Sequence, residues 1–481
     1  NVQKNDGDFK ATLEVDISNA ENRTVEVEIE DLLIAGLGDS FGSGEGNPDK
    51  AIQMTGQKAM LGRFPYRDRS NKENWRNGAR WHDWNCHRSL YNQQLRAAMH
   101  MALSKKNRSV GFIGLACSGA TIRKGLLGPY IGVENTKHRQ LSEKEIRDPQ
   151  LHALLGYLCE GGRKNVNDDA KSETNFSCKT RLKRKLDFLF LSVGGNDIGF
   201  SGIVAYSILQ ASGVKQVAWV LSQGDSLGGY VTPKEAKEKI DSILIPDYAR
   251  LKRTLNKSGL LKDNRDDRVL LSGYPQPFFQ SDGKTYCPED RPSGRGMEVF
   301  DTFTFWPKEK LLKRAFSAVE KLDRSMLEAA QKTDNGPKGQ WRFVSGHQEE
   351  FRKHGFCAGE KAELAPPTWV NGKGWSKPPN SFNPYQKRQR WMRTPNDAYL
   401  TTNNGGASVK SLEQNPGDVI PIPPAQLDLR YQKALARTIN GAMHPTAEGH
   451  AYVADHVSCT AENFLENAGA PDIRVTGCKK E

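Results

Sequence analysis

At 481 residues the chain is longer than a typical single domain, so it holds either two domains or one domain with long insertions. Hydrophobic residues at 37% and aromatics at 9% supply a sizeable core and exclude global disorder. Lysine and arginine number 69 against 57 aspartates and glutamates, a net charge of +12 that favours an anionic partner such as acidic polysaccharide or phospholipid headgroups. Without a zinc-finger spacing or an RNP-like motif, no nucleic-acid partner is expected, and the plainer alternative is a basic surface that serves solubility.

The first residues, Asn1 to Asp6, lack the apolar stretch of a signal peptide and read as a mature or trimmed end. Leu13, Val15 and Ile17 alternate with Thr12, Glu14 and Asp16, and Val25, Val27 and Ile29 repeat the pattern. That alternation predicts an N-terminal β-hairpin over residues 1–30 with one buried face. Continuous apolar runs follow at Leu32 to Leu37, Val110 to Leu115, Asp187 to Val193, Arg268 to Ser272 and Trp341 to Ser345, the pattern of parallel strands buried on both faces. Between them Tyr91, Leu95, Ala98 and Ala102 share one face of a predicted helix starting near Ser89. Thr232-Pro233-Lys234-Glu235 reads as a capping box with proline in the first turn. Alternating strands and helices predict an α/β fold with a doubly wound parallel sheet over residues 31–481. The long connections near 44–85, 122–180, 274–300 and 371–425 are rich in glycine, proline and charge and read as insertions on that one domain.

The most apolar helical stretch, Ser201 to Ser222, is broken by Gln210, Lys215 and Gln216 and falls short of the ~20 apolar residues of a membrane span. The cysteines at 86, 117, 159, 178, 287, 357, 459 and 478 form an even set without a Cys-x-x-Cys pair, which favours disulfides over zinc and an oxidising, extracytoplasmic location, secreted or periplasmic. Joining neighbours in order gives Cys86–Cys117, Cys159–Cys178, Cys287–Cys357 and Cys459–Cys478.

The strongest chemical signal follows the first parallel strand, Gly38-Asp39-Ser40-Phe41-Gly42-Ser43-Gly44-Glu45-Gly46. Small residues there permit a sharp turn that places a serine at the carboxyl edge of the sheet, beside a helix N-terminus whose N–H groups can hold an oxyanion. Ala116-Cys117-Ser118-Gly119-Ala120-Thr121 follows the next strand, and Gly194-Gly195-Asn196-Asp197-Ile198-Gly199-Phe200 the third. Met443-His444-Pro445-Thr446 opens a C-terminal helical stretch through Val457. Asp39 and Asp197 read as braces for their turns.

In this order the four segments resemble the SGNH or GDSL family of esterases and lipases. Ser40 matches its nucleophile, Gly119 its second-block glycine, Asn196 its asparagine and His444 its histidine. Cys86-His87-Arg88-Ser89 and His354-Gly355-Phe356-Cys357 point to the secreted, disulfide-bearing esterases and phospholipases of that family. The resemblance implies a flavodoxin-like sheet and acyl transfer through a covalent intermediate: Ser40 attacks, neutral His444 takes its proton, and the Ser40 and Gly119 N–H groups with the Asn196 side chain hold the oxyanion. No metal or organic cofactor is implied. The family's usual aspartate three residues before the histidine is Gly441 here, so its carbonyl, a distant carboxylate, or neither orients the imidazole.

Specificity features are Trp75, Trp81 and Trp84 with His82, Asp83 and His87, read as sugar-stacking rings or as a local mini-core, and the basic runs Lys387 to Arg393 and Lys179 to Lys185, read as anion docking sites or solvated faces. The expectation is an exported serine esterase acting on an O-acyl ester of a polysaccharide or a lipid, with the basic charge tilting toward a decorated glycan or an anionic phospholipid. Its rivals are an acyltransferase to a sugar or lipid hydroxyl and a non-catalytic glycan- or lipid-binding module.

Overall fold

A computed structural model describes residues 2–4, 8–15, 23–52, 79–130, 132, 147–168, 173–200, 202–203, 231–287, 297–299, 303–305, 309–332, 339–358, 369–370, 374–375, 382–402 and 441–466. Strands β1 (Val2–Lys4), β2 (Asp8–Val15), β3 (Arg23–Gly38), β4 (Arg108–Gly114), β7 (Phe188–Ser192), β8 (Val269–Ser272) and β11 (Arg342–Val344) form one sheet. Three two-stranded antiparallel ribbons stand apart: β5 (Arg163–Asp168) with β6 (Glu173–Cys178), β9 (Met297–Val299) with β10 (Phe303–Phe305), and β12 (Trp369–Val370) with β13 (Gly374–Trp375).

Within the main sheet β4, β3, β7, β8 and β11 lie side by side and all run parallel. The second strand of the five in chain order is thus an edge and the first lies inside it, which is the flavodoxin-like order predicted from sequence. That order reverses direction between β3 and β7, and the crevice outside the carboxyl ends of those two strands is where open α/β sheets bind ligands. Phe188, Leu189, Phe190 and Leu191 are all buried, as the continuous apolar run demands of a strand covered on both faces.

The N-terminal hairpin departs from expectation. Its second strand does not end near residue 30 but runs unbroken as the 16-residue β3 into the parallel sheet. β2 pairs with its first half, Asp8 opposite Glu30 through Val15 opposite Arg23. β4 joins β3 only from Glu30 and β7 only from Ile34, so the first half lies beyond the parallel sheet. Val25 and Val27, expected on a buried face, are 51% and 39% exposed.

Helix α1 (Ser40–Ser43) follows β3 directly, and α2 (Gln93–Ser104) precedes β4. α2 starts later than predicted because Asn92 caps it by accepting the Leu95 N–H at 2.8 Å. Its buried face is Gln93, Gln94, Ala97, Ala98 and Met101, while Leu95 and Ala102 are only partly covered, so the apolar stripe read from sequence was rotated by one position. The stripe is displaced because α2 turns Gln94 inward. Gln94 donates to the carbonyls of Leu37 (2.8 Å) and Phe190 (3.2 Å), completing strand ends that have run out of partners. Gln150, on α3 (Gln150–Leu158), does the same for Gly38, accepting its N–H and donating to its carbonyl, each at 2.8 Å.

The remaining helices are α4 (Gly195–Ile198), α5 (Pro233–Lys239), α6 (Ile245–Ser258), α7 (Glu309–Gln331), α8 (Gln348–Arg352), α9 (Pro395–Thr402) and α10 (Ala447–Glu466). The capping box at Thr232 forms as predicted, with Thr232 Oγ1 on the Glu235 N–H and Glu235 Oε2 on the Thr232 N–H. α10 packs on α2, closing one face of the sheet. Much of the four insertions lies outside the described residues, as do Trp75 and most of the stretch from Ser201 to Ser222; among the described residues no helix is long and apolar enough to cross a membrane.

Cys86–Cys117, Cys159–Cys178 and Cys287–Cys357 are bonded as the neighbour order proposed. Cys459 is also disulfide-bonded, while Cys478 lies outside the described residues. The Cys287–Cys357 bond closes the longest of the three loops, 70 residues, and removes the most freedom from the unfolded chain. Replacing both of its cysteines by alanine is expected to lower unfolding free energy by about 4 kcal/mol in a denaturant titration, against about 3 kcal/mol for the 19-residue Cys159–Cys178 loop.

Candidate active site

The nucleophile turn begins at Gly38, the last residue of β3, whose φ of +139° and close packing exclude any side chain; a Cβ there would lie 1.9 Å from the Ser192 carbonyl oxygen. Asp39 then donates its N–H to that carbonyl at 2.7 Å and caps α1, its Oδ1 accepting the Phe41 N–H at 3.0 Å. Ser40 is therefore the first residue of a short helix at the carboxyl edge of β3, 6% exposed.

His444 arrives from the other end of the chain. Its Nε2 lies 2.7 Å from Ser40 Oγ and its Nδ1 lies 3.0 Å from the carbonyl oxygen of Ala442. A carbonyl accepts but cannot donate, so Nδ1 carries the proton and the Nε2 lone pair faces the serine hydroxyl. The acceptor is one residue nearer than the Gly441 carbonyl, one of the possibilities the sequence left open, which faces the ring as a weaker acceptor. Gly441 has another task. A Cβ on it would lie 2.6 Å from the Gly46 Cα, and a Cβ on Gly46 would lie 2.9 Å from the Gly441 oxygen. The two backbones touch where the histidine loop crosses the loop after Ser40, so an aspartate does not fit at 441.

The histidine loop is gripped on its other side by residues 391–393. Arg393 N–H donates to the His444 carbonyl and Met443 N–H to the Arg393 carbonyl, both at 2.9 Å, and Thr446 N–H reaches the Trp391 carbonyl at 2.7 Å. Met443 is held at φ +69°, a conformation costly for a non-glycine residue, one position before the histidine. The Arg393 side chain is fully buried; its Nη2 donates to Asn47 Oδ1 at 2.7 Å, and Asn47 Nδ2 donates to the Pro445 carbonyl at 2.8 Å. Arg388 and Arg390, also buried, converge with it on Asp397, Arg390 Nη2 to Oδ2 at 2.9 Å. The run from Lys387 to Arg393, expected as a docking patch or a solvated face, is neither at these three arginines. They form an internal ion cluster under the histidine loop, because the chain here crosses the interior and Asp397 supplies a buried counter-charge.

The other two predicted segments meet each other. Gly119 takes φ +78° just beyond the Cys86–Cys117 disulfide, and Asn196, in α4, donates through Nδ2 to the Ala120 carbonyl at 3.0 Å. That bond uses one amide hydrogen and leaves the second. Asp197 accepts the Ile122 N–H at 3.0 Å, tying the same loops together. Tyr274, beyond the end of β8, was not singled out in the sequence although a tyrosine at a strand's carboxyl end was a readable signal. Its hydroxyl donates to Asp39 Oδ2 and accepts the Gly195 N–H at 2.8 Å, linking the serine turn to the asparagine turn. Phe41 stands edge-on to its ring at 4.9 Å and packs 5.1 Å from the His444 ring.

Burial dominates the electrostatics. It lowers the His444 imidazole from its ordinary value, against the pull of the Glu45 carboxylate and the Ala442 carbonyl, so the ring is neutral at pH 7. It pushes the Asp39 carboxyl up to about 6 despite the Tyr274, Phe41 and Ser192 donors, and Asp197 up to about 7. Around Trp81 and Trp84, Asp83 pairs with Arg88 and accepts both Arg147 nitrogens at 2.8 Å, while Trp81 stacks on the buried His87. In the run from Lys179 to Lys185, Arg181 pairs with Glu160 and Arg184 with Asp31.

No protein-family model matches the chain, and no curated protein matches it. Among solved structures, it is similar to an extracellular lipase from Streptomyces rimosus at 16% identity and a TM-score of 0.33, covering 70% of this chain and 86% of that one. It is also similar to phospholipase A1 from Streptomyces albidoflavus at 16% identity and a TM-score of 0.31, covering 66% of this chain and 82% of that one.

Two outcomes follow from this geometry. Gly441→Asp, which puts a carboxylate three residues before His444, is expected to lower Ser40 reactivity toward a fluorophosphonate probe by on the order of a hundredfold, because the collision with Gly46 displaces His444. Asp197 has a folded pKa of about 7 against an ordinary 3.8, so its protonated form stabilises the fold below pH 4 and that contribution is lost as pH rises toward 7. Asp197→Asn removes this loss while keeping an acceptor for Ile122, so its Tm relative to the parent chain is expected to climb between pH 4 and pH 8.

Proposed function

We propose that this chain is a serine ester hydrolase of the SGNH type. The observation that carries the reading is the 2.7 Å contact of His444 Nε2 with Ser40 Oγ, in a ring whose Nδ1 is committed to a carbonyl, at the carboxyl edge where the strand order reverses. A serine alone is a weak nucleophile; a neutral imidazole aimed at its hydroxyl turns it into one.

In the proposed reaction the Ser40 proton moves to His444 Nε2 as Oγ bonds to the ester carbonyl carbon. The carbonyl oxygen becomes an oxyanion held by the N–H groups of Ser40 and Gly119 and by the free amide hydrogen of Asn196. Each such donor contributes ~3–4 kcal/mol to the transition state in comparable enzymes. The carbon–alkoxy bond then breaks, the leaving oxygen taking the proton from Nε2. Water, deprotonated by the same nitrogen, releases the acid and restores Ser40. Ala442, rather than a carboxylate, keeps the tautomer, and the chain's own residues supply every proton movement.

The disulfides favour an oxidising, extracytoplasmic site of action. The substrate we favour is an ester of an anionic lipid rather than of a polysaccharide. A groove of about 920 Å³ lies between α5 and α7, where Lys234, Lys237, Lys310, Lys313 and Arg314 face the single carboxylate of Glu309. α5 in turn packs against α4, which carries Asn196. Excess positive charge there raises the local concentration of an anionic substrate.

Hydrolysis of p-nitrophenyl esters from acetate to palmitate tests the reading. Ser40→Ala and His444→Ala are each expected to reduce kcat/KM at least roughly a thousandfold, and Asn196→Ala roughly a hundredfold or more. Activity falls as His444 gains its proton, so the acid limb of the profile is expected below pH 6.5. Phospholipid vesicles with added anionic lipid are expected to be cleaved faster than neutral ones at low salt only. Full activity in Ser40→Ala would overturn the proposal, and product formed only with an added alcohol acceptor would make the chain an acyltransferase instead.

A further inference from the structure

Behind the proposed catalytic pair lies a second histidine–carboxylate pair that the reaction as written does not use. Gly44, at φ +86°, turns the chain after α1 so that Glu45 points inward; its N–H donates to the Ser40 carbonyl at 3.0 Å and its side chain is 2% exposed. One oxygen, Oε2, accepts the Ser118 hydroxyl at 2.5 Å and faces His87 Nδ1 at 2.7 Å. The other, Oε1, is buried and meets no hydrogen-bond donor among the described residues. Ser118 immediately precedes Gly119, and its hydroxyl lies 3.0 Å from that of Ser43 in α1. His87 is fully buried, stacked on Trp81 with centroids 4.5 Å apart and 6° between planes, and edge-on to Trp84.

A buried carboxylate costs several kcal/mol in lost hydration, and a glutamine would satisfy Ser118 at lower cost. What a glutamine does not supply is charge. His444 must become an imidazolium during acyl transfer, and its direct partner, the Ala442 carbonyl, offers only a partial charge. The titratable and charged groups around it are few. His450 on α10 is held neutral by burial, and Arg393 beneath the histidine loop is a cation that opposes a second one. Asp39, under the serine, has its carboxyl pushed up to about 6 and is engaged by Tyr274, Phe41 and Ser192. Glu45 and His87 remain: Glu45 immediately precedes Gly46, which touches Gly441, and Asn47 Nδ2 joins the Glu45 carbonyl at 3.3 Å to the Pro445 carbonyl at 2.8 Å, next to His444. The two act on His444 with opposite signs.

We propose that Glu45 is the remote carboxylate that stabilises the His444 imidazolium in place of the aspartate excluded at position 441, and that His87, clamped between Glu45 and the Trp81 face, trims that field. This rests on the Ser40–His444 reading above and deepens it. Glu45 acts here as a positioning residue, through its charge and through Ser118, and touches no reacting atom. Because the two charges of the pair oppose each other at His444, removing either one moves the histidine in a different direction.

The test compares Glu45→Gln, His87→Asn and the double variant in the full chain. His87→Asn keeps a donor where Nδ1 stands and suits the φ of +46° at that position. Two readouts are taken: the acid limb of p-nitrophenyl acetate hydrolysis, and the titration of the His444 ring by NMR with ¹³C-labelled histidine, assigned by its loss in His444→Ala. Glu45→Gln is expected to shift both to lower pH and to reduce kcat at pH 8 on the order of tenfold with little change in KM. His87→Asn is expected to shift both to higher pH, and the double variant to return toward the parent. Coincident titrations of parent and Glu45→Gln would overturn the proposal, as would shifts of the same sign in both single variants. If Glu45→Gln does not fold, His87→Asn alone decides by the direction of its shift. If the parent chain hydrolyses no ester, the Ser40–His444 reading fails by itself, while the NMR titrations still decide whether Glu45 governs His444.

Discussion

The site depends on a backbone crossing. The loop after α1 and the loop before α10 pass each other at Gly46 and Gly441 so closely that neither position admits a Cβ, and only this approach lets His444 Nε2 reach Ser40 Oγ across 404 positions of sequence. The surrounding structure maintains the crossing. Gly38 allows β3 to end against the Ser192 carbonyl, and Gln94 and Gln150 satisfy the strand-end groups that the sharp turn leaves unpaired. From below, Asn47 and Arg393 bolt the two loops together through a carbonyl, an amide and a guanidinium. Tyr274 carries the same rigidity to the neighbouring asparagine turn.

This close fit has an electrostatic consequence. Excluding a side chain at 441 removes the nearest place for a carboxylate, and the carbonyl of Ala442 takes over the task of choosing the tautomer. Orientation needs only an acceptor, whereas stabilising the imidazolium needs charge, and the two tasks are separable in space. In the reaction proposed above the orienting group belongs to the histidine loop and the charged one to the loop after Ser40, where Glu45 is buried beside His87 and Ser118. The same economy governs the basic residues. Three arginines near residue 390 are spent inside the protein on Asp397, where burial lowers Arg393 to about 10, while the cations on α5 and α7 are left to line a groove.

Much of the fold was legible in advance because its signals are local. Continuous apolar runs marked the five parallel strands, since a strand covered on both faces cannot alternate, and the Thr232 capping box marked a helix start because its hydrogen bonds span only three residues. Local patterning misled where the environment changes along one element. Val25 and Val27 alternate like residues of a buried face, yet β3 meets its parallel neighbours only farther along, so their side chains stand in solvent. The helix before β4 was read by its apolar stripe, but its buried face also carries Gln94, which serves the backbone.

By itself, the sequence determined the α/β class and the placement of Ser40, Gly119, Asn196 and His444 at element boundaries, because turn chemistry and strand hydrophobicity act between near neighbours in the chain. It also contained the four segments in order, but not their distances from one another. Which carbonyl holds the imidazole, why position 441 is glycine, and that Arg388, Arg390 and Arg393 lie inside were decided only by tertiary structure. The contact of Gly441 with Gly46 and of Arg393 with Asn47 joins stretches hundreds of residues apart, and neither stretch alone records where the other will lie; the Ala442 carbonyl and Asp397 are near neighbours in the chain, but their orientation follows from the same loop packing.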